Sequence, residues 1–81
     1  MEVRAIFFAS YRDLVGTPSL ELRLRDGATV ADLVGELRGR GAPFDRLPGD
    51  PAVAVNREYS PANTPLSGGD EVAFSPPVAG G

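Results

Sequence analysis

The chain has 81 residues, 42% hydrophobic and 23% charged, with a formal net charge of -3. This describes one ordinary globular domain, too short for a second core and able to bury about 60–65% of its unfolded surface. Cysteine, histidine and lysine are absent, which removes thiolate and imidazole metal ligands, the usual nucleophile and general base, and the Schiff-base amine.

The opening, MEVRAIFFAS, carries Glu2 and lacks the basic flank and long apolar core of a signal peptide. No apolar run approaches the ~20 residues that span a bilayer. With no cysteine either, the expectation is a cytoplasmic protein with no membrane contact. The acidic balance argues against nucleic acid, which calls for a basic stripe.

Residues 2–8, EVRAIFF, are β-branched and aromatic. Val3, Ala5 and Phe7 share one face and Ile6 and Phe8 the other, so both faces are apolar, as in a central strand. In SYRDLVGTP, Ser10 and Asp13 have the spacing of a capping box, while Gly16 and Pro18 stop the chain after one helical turn. SLELRLRDG alternates Leu20, Leu22 and Leu24 with Glu21, Arg23 and Arg25, a half-buried strand closed by an Asp26-Gly27 turn.

Periodicity then changes. Val30, Leu33, Val34 and Leu37 fall at i, i+3, i+4 and i+7, predicting a helix with Thr29 as N-cap, Asp32 near its positive end and Gly41 as its stop. Gly35 and Gly39 each weaken it by about 1 kcal/mol relative to Ala, either for close packing on a sheet or as a tolerated cost. APFDRLPGDP reads as loop, residues 52–56 as a buried strand, and REYSPANTPL as irregular with a short strand. SGGD is a turn before a final strand over 71–75.

One good helix among mixed strands predicts an α+β fold, a sheet curled around that helix. The first and last strands are the most apolar and are expected at its centre, paired in parallel in a β-grasp arrangement. The adjacent acids Asp70 and Glu71 belong to a solvated turn rather than to an acid–base dyad. Neither GRG at 39–41 nor GG at 68–69 is a phosphate-binding loop, which needs the missing lysine.

The ending EVAFSPPVAGG has a different logic. Gly averages ~7% of residues, so a Gly-Gly pair at a chosen terminus arises by chance in about 0.5% of cases. Pro76 and Pro77 fix φ and remove two donors, which sends the chain out of the last strand extended. Val78 and Ala79 are small, and Gly80 and Gly81 have no side chain, so the segment fits a narrow channel. An α-carboxyl titrates near ~3.5 and is anionic at neutral pH, ready to attack phosphorus. These residues divide the chain into a domain over 1–75 and a flexible delivery tail over 76–81.

GDEVAFSPPVAGG, together with FFASYRDLVG and AVNRE, resembles the MoaD family, the small subunits of molybdopterin synthase within the ubiquitin-like β-grasp superfamily of sulfur carriers. The likeness runs along essentially the whole chain. It implies a non-catalytic sulfur carrier: a MoeB-like adenylating enzyme uses ATP to convert the Gly81 carboxylate to an acyl-adenylate, and a sulfur donor displaces AMP to leave a thiocarboxylate. The tail then enters a MoaE-like large subunit, in a heterotetramer, and passes sulfur to cyclic pyranopterin monophosphate. No cofactor or metal is bound permanently; nucleotide is met only in the adenylating partner.

Aromatic anchors dominate protein interfaces, so Phe8, Tyr59 and Phe74 are the candidate docking residues, each also readable as core packing. Arg57 and Glu58 are candidate polar rim contacts. The family often has an aromatic residue where this chain has Ser75, and an aliphatic one near Tyr59. Two other readings stay open: a ubiquitin-like carrier for tRNA thiolation, thiazole synthesis or protein modification, and a β-grasp interaction module with an inert tail.

Overall fold

The computed structural model describes residues 1–77. Strands β1 (Glu2–Phe7), β2 (Ser19–Arg23), β3 (Val53–Val55), β4 (Glu58–Ser60) and β5 (Glu71–Phe74) form one mixed sheet. Its order is β2-β1-β5-β3-β4, so the first and last strands are interior, although only the inner face of β1 is fully buried and Glu2 and Arg4 stand exposed on its outer face. β1 and β5 run parallel, from Arg4 opposite Glu71 to Phe7 opposite Phe74, and every other neighbouring pair is antiparallel. The helices are α1 (Ala9–Val15) and α2 (Val30–Arg38), with a 3₁₀ turn at Phe44–Arg46.

One sheet face makes the core. Val3, Ala5 and Phe7 of β1, Leu22 of β2, Val53 of β3, and Val72 and Phe74 of β5 are buried in one cluster with Val30, Leu33, Val34 and Leu37 of α2. The ring of Phe7 lies 5.3 Å from Phe74 and 6.4 Å from Phe44. Tilted aromatic pairs of this kind add about 0.5–1.5 kcal/mol beyond their burial. The core therefore reaches the end of the sheet where β1 and β5 both finish.

α2 forms as its pattern demands. The Thr29 hydroxyl accepts from the Asp32 amide at 3.3 Å, and the Asp32 carboxylate accepts from the Thr29 amide at 2.9 Å, a reciprocal cap. Arg25 donates to the same carboxylate at 3.0 Å. The backbone hydrogen bond from Thr29 chiefly holds the Asp32 carboxyl below its ordinary value, with the Thr29 hydroxyl and Arg25 adding to the effect. The helix stops at Gly39, two residues before the expected stop, and Gly41 takes the left-handed conformation beyond it. A side chain at Gly35 would meet nothing within 4 Å, so this glycine is a tolerated cost and not a close approach to the sheet.

α1 differs more from expectation. It has two turns rather than one, and its N-cap is Phe8, with no side-chain cap. The Ser10–Asp13 box does not form, because the helix begins before Ser10: the Phe8 carbonyl accepts from the amides of Tyr11 and Arg12. Gly16 ends it in the left-handed conformation. The Pro-rich loop hides a 3₁₀ turn, and its Leu47 is 1% exposed.

Candidate functional site

The candidate site lies where β5 ends. The Phe8 amide donates to the Phe74 carbonyl at 3.1 Å, one rung beyond the parallel β1–β5 pairing. Ser75, Pro76 and Pro77 follow outside any strand. Two successive prolines offer no amide, so the ladder cannot continue through them. The chain therefore leaves the sheet from an interior strand, held on both sides by β1 and β3. Val78, Ala79, Gly80 and Gly81 lie outside the described residues.

The sheet face opposite the core divides in two. Cross-strand register puts Ile6, Ala73, Ala54 and Tyr59 in one row. Phe8 stands at the exit end of this row, 48% exposed, and Tyr59 at its far edge is 78% exposed. The two alanines between Ile6 and Tyr59 make a shallow apolar trough, three strand spacings or about 14 Å across. Further from the exit the same face is charged and internally paired. Arg4 donates to Glu21 at 3.1 Å and Arg23 to Glu2 at 2.9 Å. These exposed pairs contribute little to stability, but they satisfy each other's charge.

A polar latch lies at the start of β5, level with the charged half. Asn56 and Arg57 have φ of 50° and 72°, the paired left-handed conformation of a tight hairpin turn between β3 and β4. The Asn56 side chain donates to Asp70 at 2.9 Å and accepts from the Glu71 amide at 3.0 Å, while its own amide donates to the Glu71 carbonyl at 2.8 Å. Asp70 also accepts from the Ser67 amide at 2.7 Å. The Asp70-Glu71 pair is thus a turn device that pins the start of β5, and with it the position where β5 ends.

Phe8 and Tyr59 lie on the open face. Phe74 does not: it is fully buried against Phe7, which corrects its assignment as a docking residue. The alternation of β5 explains the difference, since Val72 and Phe74 point inward and Ala73 outward. Arg57 and Glu58 are exposed at the hairpin beside Tyr59. Ile6, Ala54 and Ala73 complete the apolar row without having been singled out as site residues; reading the outer parity of three strands together would have found them. Among the described residues, no helix is long and apolar enough to cross a membrane.

The chain is 39% identical over 84 residues to the molybdopterin synthase sulfur carrier subunit of Escherichia coli, covering 98% of this chain and 99% of that protein. It is also 39% identical over 95 residues to small archaeal modifier protein 3 of Haloferax volcanii, covering all of both. Among solved structures, it superposes at a TM-score of 0.72, with 26% identity and full coverage of both chains, on a chain from the complex of subunits 1 and 2 of the molybdopterin-converting factor from Helicobacter pylori. The fold is accordingly a ubiquitin-like β-grasp. The family model for ThiS matches residues 5–81, and with the full-length likeness to molybdopterin synthase carriers it shows that this chain belongs to the ThiS/MoaD family.

Proposed function

We propose that the chain is the sulfur carrier subunit of a molybdopterin synthase. The observation that supports this most is positional: an apolar, unpaired half-face, with Phe8 and Tyr59 exposed, lies at the end of the sheet from which the C-terminal segment departs. A partner seated on that face receives the tail directly. The similar chain from Helicobacter pylori comes from a complex of subunits 1 and 2, which supports a large-subunit partner; assembly as a heterotetramer in the cytoplasm is part of the same proposal.

The chemistry then belongs to Gly81. Its carboxylate oxygen attacks the α-phosphorus of ATP in a MoeB-like adenylating enzyme, and pyrophosphate leaves. Sulfide-level sulfur (HS⁻) from a donor attacks the acyl carbon, the C–S bond forms as the C–O bond to AMP breaks, and AMP departs with the bonding electrons. The resulting thiocarboxylate supplies sulfur to cyclic pyranopterin monophosphate in the large subunit. Pro76 and Pro77 keep the approach extended, while Val78, Ala79 and Gly80 keep it narrow. The partners supply the acids, bases and nucleotide site that this composition lacks.

Reconstitution with a molybdopterin synthase large subunit tests the reading. The thiocarboxylated chain is expected to convert the pterin precursor to its dithiolene product, and removal of Gly80 and Gly81 to abolish turnover with the fold retained. Unchanged turnover after that deletion would overturn it. The likeness to a small archaeal modifier protein favours a second reading, conjugation of Gly81 to lysines of other proteins. That reading predicts amide-linked adducts in place of pterin turnover.

A further inference from the structure

All eight cationic side chains are arginine: Arg4, Arg12, Arg23, Arg25, Arg38, Arg40, Arg46 and Arg57. A guanidinium keeps its proton at any ordinary pH and is no nucleophile toward an acyl carbon, whereas a lysine amine is one. The remaining amine is that of Met1, and the fold has engaged it. The Met1 ammonium donates to the Leu24 carbonyl at 2.7 Å, and the Leu24 amide donates back to the Met1 carbonyl at 2.8 Å. The group closes the β1–β2 ladder, with the Asp26 carboxylate 3.7 Å away and the Met1 side chain only 8% exposed. To attack an acyl carbon it must release its proton, leave this rung and present a lone pair. It also sits at the opposite end of β1 from the tail exit, a strand length of about 20 Å away.

We infer that this chain is a one-way acyl donor: its carboxylate can be activated, but its surface offers no free amine to accept an acyl group from a second activated copy. The inference rests on the proposed activation of Gly81 for its biological meaning. The reaction avoided is definite. An amine nitrogen would attack the activated carbonyl carbon, the C–N bond would form as the C–O bond to AMP broke, and the amine proton would pass to solvent. In a carrier that waits as an adenylate, this side reaction would yield an amide and remove the chain from the sulfur cycle. Arginine preserves the positive charge and its ion pairs without opening that route.

The test needs no adenylating enzyme, so its failure is distinct from failure of the functional reading. The full chain is prepared with a C-terminal thioester of mercaptoethanesulfonate and held concentrated in mildly alkaline buffer, and intact mass is followed beside Arg40→Lys. Arg40 is exposed just past α2 and lies away from the proposed docking face. The expected result is that the natural chain only hydrolyses, while Arg40→Lys accumulates covalent dimer linked through Lys at that position. Dimer or cyclised monomer forming from the natural chain as fast as from the variant would overturn the inference. So would an Arg40→Lys chain that stays monomeric while its thioester still reacts with free glycine ester.

Discussion

The Phe8 amide donates to the Phe74 carbonyl at 3.1 Å, yet the two side chains face opposite ways, Phe74 fully buried and Phe8 48% exposed. One rung therefore joins the core to the proposed docking face at the tail exit. Phe74→Ala empties the core beside Phe7 and is expected to cost about 3–5 kcal/mol of stability. Phe8→Ala is expected to leave stability within about 1 kcal/mol while weakening large-subunit binding by more than about fivefold. Denaturant melts and titration calorimetry on the two variants separate these roles.

Tyr59 stands across the alanine trough. Tyr59→Ala is expected to weaken partner binding by about tenfold, with little change in melting midpoint. Ala54→Arg fills the trough with a charged side chain and should abolish measurable association with the large subunit. A far-ultraviolet spectrum unchanged from the natural chain would show that the sheet persists.

The α2 cap carries a pH dependence with a definite sign. Asp32 titrates below its ordinary value of 3.8 in the folded chain. Its contribution is therefore fully present above that value and is lost as pH falls through the lower folded-state value. Thr29→Ala removes the reciprocal cap and should cost about 1 kcal/mol at neutral pH. In acid titrations of stability, Asp32→Asn should flatten the slope below pH 3.8, the ordinary value of this group.

Gly35 offers the opposite change. A Cβ there meets no atom within 4 Å, and the backbone is helical. Gly35→Ala is expected to stabilise the domain by roughly 0.5–1 kcal/mol, read as a raised denaturation midpoint with unchanged slope.

The Asn56 latch should be sensitive in two separable ways. Asn56→Ala loses the bonds to Asp70 and Glu71 and puts an alanine at a φ of 50°, a loss of about 2 kcal/mol or more. Asn56→Gly relieves the backbone cost but not the lost bonds, and should recover about half of that in chemical denaturation.

Much of this architecture was legible because the period of the apolar residues is unambiguous. The 2–8 stretch does lie inside the sheet, although Glu2 and Arg4 leave half of its outer face charged, and Val30 to Leu37 line one helix face as spaced. The start of α1 is not legible locally because tertiary contacts set it: the Phe8 amide bonds the Phe74 carbonyl before the chain turns, so Ser10 falls inside the helix. The burial of Phe74 is hidden in the sequence for a related reason. A single strand shows alternation but not which parity meets the helix; only pairing with Phe7 and Val53 decides that. The Asn56 latch joins residues 14 and 15 positions apart, a contact that no local pattern announces.

The central claim is that the working group is the main-chain carboxylate of Gly81. Its most direct test is the intact mass and C-terminal peptide mass of the full chain after incubation with a MoeB-like adenylating enzyme, ATP and a sulfur donor. The account predicts exchange of one oxygen for sulfur, confined to the peptide ending at Gly81 and dependent on ATP. A chain left unchanged under conditions that convert the Escherichia coli carrier subunit would contradict it.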